Sequence, residues 1–346
     1  MWNMSLPTIR DVARKAGVGT GTVSRVLNDS TQVSQDTRER VLAAIQALGY
    51  RPNQFARQLS RGLRLQTIGV MSPFITDHSY VARLRGVQEA LNANASDFDL
   101  VFYHVNSLER FQHRLMAIVE QGVIMGLIIM VVDLSEAQRD MLRRAGIDYV
   151  GVGDRVVEDW SFIGVDNVNG GELATQYLID LGHRRIAYVG DSFPDKFGFV
   201  SSVDRLHGYK QALVRHRIEL KPDYVKLGVH GRDEAYRLTL ELLRQDEPPT
   251  AIFAMSDVQA LGCMAAIRDM GLSVPGDISL IGFDDIEISY LIGLTTVRQH
   301  LKESGYRATE YLLHLLNSSG RMTPPPLPHL PPLEIVERRT TAPYHQ

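Results

Sequence analysis

Apolar positions in the first fifty residues recur at helical spacing. Val12, Ala13 and Ala16 form one stripe, and Val23, Val26 and Leu27 form a second beyond Gly17. Two short amphipathic helices around a glycine turn pack stripe against stripe, which is the layout of a helix-turn-helix. A third helix is expected from Ser34 to Leu48, with Val41, Leu42, Ile45 and Leu48 on one face, Ser34 as N-cap and Gly49 as stop. After Pro52, the segment Asn53–Arg61 reads as one more short helix ended by Gly62. Nine residues fall below the ~12–15 at which an isolated helix holds in water, so this segment should be helical only when supported.

From Thr67 the period changes. Short, nearly continuous apolar runs at 68–71, 100–104, 127–132, 149–152, 186–189, 252–255 and 280–283 alternate with amphipathic stretches at 80–91, 172–181, 205–214, 234–243 and 258–270. Such strands between helices imply parallel sheets covered on both faces. About 280 residues is long for one such sheet, so two α/β lobes around a cleft are expected. Residues 294–299 and a helix through 311–316 read as a return across the lobes. The proline-rich stretch 323–332 reads as an extended linker, and 333–338 as a final strand. The expected organisation is a helix-turn-helix domain at 1–52, a hinge helix and linker at 53–65, and a core at 66–346. One lobe takes 66–165 with 295–325, and the other takes 166–294 with 326–340.

Charge adds direction to this pattern. The chain of 346 residues has a net charge of only −3. Residues 1–64, however, hold ten Lys and Arg against four Asp and Glu, and the rest of the chain carries the opposing acidic excess. A basic head on an acidic body is the electrostatic footprint of a nucleic-acid binder. The single cysteine, Cys263, lies in an apolar helical run and excludes an internal disulfide framework and a cysteine zinc site. No signal peptide pattern is seen, and the longest apolar stretch, 123–132, is short of the ~20 residues of a membrane helix. A cytoplasmic protein without membrane contact is expected. His78, His104, His207 and His216 show no metal-ligand spacing, and Gly151-Val-Gly-Asp154 lacks the third glycine of a dinucleotide loop. No metal and no cofactor are expected. Nor is a nucleophile–base pair evident, so an enzyme is not the expected class.

The second helix would expose Thr20, Thr22, Ser24, Arg25 and Asn28, side chains able to meet phosphates and base edges. These residues stand in an ordered series of motifs: Thr8-Ile-Arg-Asp-Val-Ala, Thr22-Val-Ser-Arg-Val-Leu-Asn28, Gly49-Tyr-Arg-Pro-Asn53 and Ala56-Arg-Gln-Leu59 in the first part. Val165-Asp-Asn-Val-Asn-Gly-Gly171, Leu181-Gly-His-Arg-Arg-Ile186, Val274-Pro-Gly-Asp-Ile-Ser279, Gly282-Phe-Asp-Asp285 and Leu294-Thr-Thr-Val297 follow. Across nearly the whole chain this series resembles the LacI/GalR family of bacterial transcriptional regulators. The resemblance implies an all-α DNA-binding head, a hinge helix and a periplasmic-binding-protein-like (type I) core of two doubly wound lobes. It further implies a homodimer on a palindromic DNA operator, controlled by a small effector and most often a repressor.

On this resemblance the DNA-contacting positions are Thr8, Thr20, Gly21, Thr22, Ser24, Arg25, Asn28, Asn53, Ala56, Arg57 and Leu59. Arg25 can meet guanine O6 and N7, and Leu59 matches the hinge leucine that wedges into the minor groove. Two departures stand out. Gly19 replaces a customary serine, and Gly21 offers a base no side chain, so a less stable recognition helix and weaker base choice are expected. The implied effector contacts are Phe74, Asn169, Phe199, Arg205, Ser256 and Asp284; Ser256 stands where Asn is common. A guanidinium and a carboxylate facing one cleft suit sugar hydroxyls, while Phe74, Phe193, Phe197 and Phe199 could either stack on a ligand or fill core. Asp166 and Asp257 carry structural readings beside functional ones. A sugar is the favoured effector and a purine or nucleoside the alternative; a solute-binding transport protein on the same core is the competing class.

Overall fold

The structure is a computed structural model that describes residues 7–27, 32–48, 50, 66–94, 96–153, 160–193, 197, 199–318 and 326–344. It divides into two compact units, Met1–Leu65 and Gln66–Gln346.

In the first unit, α1 (Ile9–Ala16), α2 (Thr20–Leu27) and α3 (Gln35–Leu48) close around Val12, Ala13, Ala16, Val23, Val26, Val41 and Ala44. Thr8 and Asp11 tie down the start of α1: the Thr8 N–H and hydroxyl donate to Asp11 Oδ2 at 2.9 and 2.6 Å. These bonds hold the Asp11 carboxyl below its usual pKa. Gly17 ends the helix at φ +66°, a left-handed conformation that glycine adopts without steric cost. Leu42 departs from expectation. It is 51% exposed, and Ala44 takes its place in the buried face of α3.

In the second unit the alternation of strands and helices resolves into two sheets. The first lobe holds β1 (Thr67–Ser72), β2 (Asp99–His104), β3 (Gly126–Met130), β4 (Asp148–Val152) and β5 (Phe162–Ile163) in the order β2-β1-β3-β4-β5, all parallel. Helices α4 (His78–Ala93), α5 (Leu108–Gln121) and α6 (Glu136–Arg144) follow β1, β2 and β3. The second lobe runs α7 (Asn167–Asp180), β6 (Ile186–Asp191), α8 (Ser201–Arg215), β7 (Val225–Gly228), α9 (Arg232–Leu243), β8 (Ala251–Ala254), α10 (Asp257–Asp269), β9 (Ser279–Asp284), α11 (Glu287–Ile292) and β10 (Thr295–Arg298). Its sheet order is β11-β10-β9-β8-β6-β7, with β11 (Glu334–Val336) the one antiparallel member. Helix α12 (Leu301–Asn317) returns to the first lobe and packs beside α4, β3 and β4.

One expected boundary shifts. The sequence pattern puts 295–298 with the first lobe, but Thr295–Arg298 pairs in parallel with Ile281–Asp284 in the second sheet. The chain turns back only at His300, so the crossing lies after β10. Residues 326–332 form neither helix nor strand, and 323–325 of the expected linker lie outside the described residues. Leu327 and Leu330 pack against the first lobe's core before β11 joins the second sheet.

Helices α7 and α8 approach so closely that a Cβ on Gly171 would stand 2.1 Å from the Arg205 carbonyl oxygen, and one on Gly208 would stand 2.0 Å from that of Val168. Two glycines therefore set the depth at which α8 enters the lobe.

Candidate functional site

The outward face of α2 carries Thr20, Gly21 and Arg25, all exposed, with Thr22 and Ser24 half-buried beside them. The Gly19 carbonyl accepts the Thr22 and Val23 N–H groups at 2.9 and 3.2 Å, so Gly19 starts the helix with no side-chain cap to offer. A Cβ at Gly19 or at Gly21 would meet nothing within 4 Å. Neither glycine is thus required by packing inside this unit. Thr8 is exposed, and its hydroxyl serves the cap of α1. Asn28, Asn53, Ala56, Arg57 and Leu59 lie outside the described residues.

In the second unit, residues that follow the carboxyl ends of strands in both sheets meet, Phe74 after β1 and Phe197 after β6 at 5.6 Å, and ligands of such folds bind in the cleft at that end of the strands. Arg205 projects from the first turns of α8 and is 2% exposed. Its Nε donates to Asn167 Oδ1 and its Nη1 to the Met255 carbonyl, each at 2.7 Å. Asp284 Oδ1 lies 3.7 Å from the same Nη1, and the guanidinium carbon sits 3.7 Å from the centre of the Phe283 ring. Gln299 Nε2 donates to Asp284 as well. Burial makes each of these contacts costly to lose, because a desolvated charge without partners is strongly penalised.

Asp284 ends β9 at φ +126°, and Asp285 follows at +57°. Two successive non-glycine residues in this region store strain that the surroundings must hold. Arg298 and Arg338 do so through Asp285, at 2.7 and 2.6 Å. Asp257 does so from the other side: fully buried, it accepts the Ile286 N–H at 3.0 Å, the Ser289 hydroxyl at 2.6 Å and the Thr296 hydroxyl at 2.5 Å. Burial, followed by the neighbouring Asp284 charge, raises the Asp257 pKa. Asp257 is therefore a structural staple beneath the cleft.

Ser256, 3% exposed, caps α10 by accepting the Gln259 N–H at 3.2 Å. Gln259 Nε2 in turn reaches Asp191 Oδ1 at 2.9 Å, and Asp191 holds His230 Nδ1 at 3.1 Å. His230 stands just beyond β7 and is about half exposed. Burial works against its charge, but the Asp191 bond and the charges of Asp191, Asp284 and Asp77 outweigh that and raise its pKa. Asp77 belongs to the first lobe, so this histidine faces carboxylates from both sides of the cleft.

Aromatic rings join the lobes at the same mouth. Phe74, following β1, lies edge-on to Phe197 at 5.6 Å and to Phe199 at 5.9 Å, while Phe197 and Phe199 stack at 5.4 Å. Phe197 is buried among first-lobe residues that include Met71, Trp160 and Phe162, although it is carried by the second lobe. Phe74 and Phe199 pack partly buried beside them. Of the expected effector contacts, the structure thus brings together Arg205, Asp284 and Ser256 in one group and Phe74 with Phe199 in another. Asn169 is exposed, and its N–H donates to the capping Asp166. Asn167, two residues earlier, is the asparagine that touches Arg205.

Asp191, His230 and Gln259 were not foreseen. Asp191 ends β6 as Asp284 ends β9, so the same strand-end logic would have found it. His230 follows an edge strand whose four residues are all half-buried and give no continuous apolar run. Among the described residues no group of three or more His, Cys, Asp or Glu is arranged to hold a metal ion, and no helix is long and apolar enough to cross a membrane.

Residues 8–53 match the model of the family described as "Bacterial regulatory proteins, lacI family", and residues 175–341 match that of a "Periplasmic binding protein-like domain". The chain is 32% identical over 318 residues to the HTH-type transcriptional repressor PurR of Vibrio vulnificus (strain CMCP6), covering 89% of this chain and 91% of that one. It is similar to a solved complex of the transcriptional regulator CelR with cellobiose, at 30% identity and a TM-score of 0.67, covering 96% of this chain and 99% of that chain. It is also similar to the lac repressor dimer bound to operator and the anti-inducer ONPF, at 29% identity and a TM-score of 0.66, covering 98% and 100%.

Proposed function

Because the chain belongs to the lacI family of bacterial regulatory proteins and is a DNA-binding transcriptional repressor, we propose that it binds a palindromic operator as a homodimer under the control of a sugar. Like its repressor relatives it regulates by binding and is not an enzyme. Thr20, Thr22, Ser24 and Arg25 would read the major groove, with Asn28, Asn53, Ala56, Arg57 and Leu59 as further contacts at the operator.

The cleft carries the sugar reading through one observation: buried Arg205 and Asp284, capping Ser256 and the Asp191–His230 pair converge on it together with the Phe74, Phe197 and Phe199 rings. Polar groups that can both donate and accept, beside flat apolar faces, suit the two kinds of surface on a pyranose or furanose ring. The same aromatic faces would also serve a nucleobase, which keeps a nucleoside as the second reading.

The dimer is supported by the first lobe's surface. Edge strand β2 exposes Val101 and Phe102 at 39% and 49%, and α5 exposes Leu108 and Met116 at 41% and 46%, an apolar surface that a second copy would cover.

Two measurements test the proposal. Thermal shift of the full chain with cellobiose, ribose, glucose, adenosine and guanosine should show a rise in Tm for a sugar, since a ligand that binds the folded state stabilises it by mass action. Mobility shift on palindromic DNA, with and without that sugar, should show a change in operator affinity. Stabilisation by nucleosides alone would replace the sugar reading. A shifted complex of one protomer would remove the dimer.

A further inference from the structure

Two passages between the lobes run side by side, one leaving the second sheet after β10 and the other entering it before β11. On the second-lobe side they are zipped. Thr296–Arg298 pairs antiparallel with Glu334–Val336, and Arg298 Nη1 reaches Glu334 Oε1 at 2.7 Å across the last rung. On the first-lobe side they are joined again: the Arg307 guanidinium of α12 donates to the His329 carbonyl, and Leu327 and Leu330 lie against the first lobe's core.

The joint between these fixed ends falls at His300 and Pro332. Arg298 faces Glu334, so two residues further along both strands the same register sets His300 opposite Pro332. Backbone bonds cannot continue the ladder there. Proline has no N–H to donate, and His300 has left the extended conformation for φ +54° and ψ +44°. Its side chain supplies the rung instead, the imidazole Nε2–H donating to the Pro332 carbonyl at 3.0 Å. The His300 carbonyl already belongs to α12, accepting the Ser304 N–H at 2.9 Å. Gln299, 2% exposed, is held on the second lobe by its bond to Asp284. The change from one lobe to the other is thus concentrated in one residue.

That residue sits in a conformation it does not prefer. For a residue with a Cβ the left-handed region is disfavoured by roughly fivefold to thirtyfold. We propose that His300 is a sprung catch between the lobes: its left-handed backbone loads the joint, its ring–carbonyl bond holds the load, and the lobe angle fixed in this way sets the fraction of the protein ready to bind operator. Losing the ring bond frees the backbone to return to negative φ, which turns α12, and the first lobe with it, against the second sheet. The link to operator rests on the reading of the chain as an operator-binding dimer; the catch itself rests on the joint alone.

The test reads the lobe angle in the full chain with no effector present. Nitroxides on Arg144→Cys of the first lobe and Lys210→Cys of the second, both exposed positions, give the distance between lobes by pulsed electron resonance, with labelled chain diluted in unlabelled; the native Cys263 is buried. In His300→Ala the strain stays and the bond is lost, so a second distance should appear, its ratio to the original raised by about fivefold or more. His300→Gly loses the same bond, but glycine adopts φ +54° without strain, so the original distance should persist with a wider spread. A His300→Ala distribution that coincides with wild type overturns the proposal. So does a His300→Gly distribution that is unchanged, or one displaced as far as that of His300→Ala. Circular dichroism checks that each variant is folded, and the glycine variant decides the matter if the alanine one is not. Operator affinity by mobility shift should differ several-fold between His300→Ala and wild type, because apparent affinity scales with the fraction in the competent arrangement. A shifted distance with unchanged affinity overturns the link to DNA. No sugar enters either measurement, so failure of the sugar reading leaves both intact.

Discussion

Truncating Arg205 would take a donor from Asn167 Oδ1 and from the Met255 carbonyl, and the counter-charge from Asp284, all inside the lobe. Breaking a buried charge pair by removing one partner costs about 3–5 kcal/mol. Arg205→Ala should therefore lower the urea midpoint of the core even with no effector present, and an unchanged midpoint would show that these contacts contribute little. The obvious variant for testing effector binding thus confounds binding with folding. His230 is the cleaner probe, because its side chain is about half exposed and its hydrogen bond is to Asp191. Arg205 and Asp284 were legible as a pair from the family resemblance. Their burial was not, since no sequence pattern reveals that a guanidinium lies over the Phe283 ring.

At the level of elements, α2 is the place where sequence and structure say the same thing about a weakness. Glycine in a helix costs about 1 kcal/mol relative to alanine, and a Cβ at Gly21 would meet nothing within 4 Å. Gly21→Ala should stabilise α2 by about that amount, close to a fivefold gain in amide protection over Thr22–Leu27 by hydrogen exchange. No gain would mean that the helix is held wholly by its packing on α1 and α3. Most strands were readable because central parallel strands are continuous apolar runs: β1, β3, β8 and β9 are buried at every residue. Edge strand β7 and two-residue β5 lack that signature and cannot be read from the pattern. The segment of β10 is legible but its lobe is not, because an apolar run records burial and not which sheet supplies the hydrogen bonds.

Across the whole second unit, three stretches of chain cross between the lobes: after β5, after β10 and before β11. The pattern of alternation predicted two lobes, yet it held no hint of how they meet. The structure shows Phe197, from the second lobe, among the first lobe's buried residues, and Arg85 of α4 paired with Glu287 of α11 at 2.7 Å. That exposed ion pair contributes little, so the aromatic contact is the firmer of the two.

Trp160 lies in the same cluster, 8% exposed, with its indole N–H on Asp133 at 3.0 Å and its ring 5.1 Å from that of Phe162. The chain has two tryptophans, the other at position 2. A separation of the lobes that withdraws Phe197 takes a ring out of the cluster that buries this indole, and the emission of Trp160 should then shift to longer wavelength. A Trp2→Phe form would make that signal specific; emission unmoved by a ligand that alters operator affinity would mean that the lobes respond without parting here. The protein thus carries an intrinsic optical reporter in the cluster that side chains of both lobes fill.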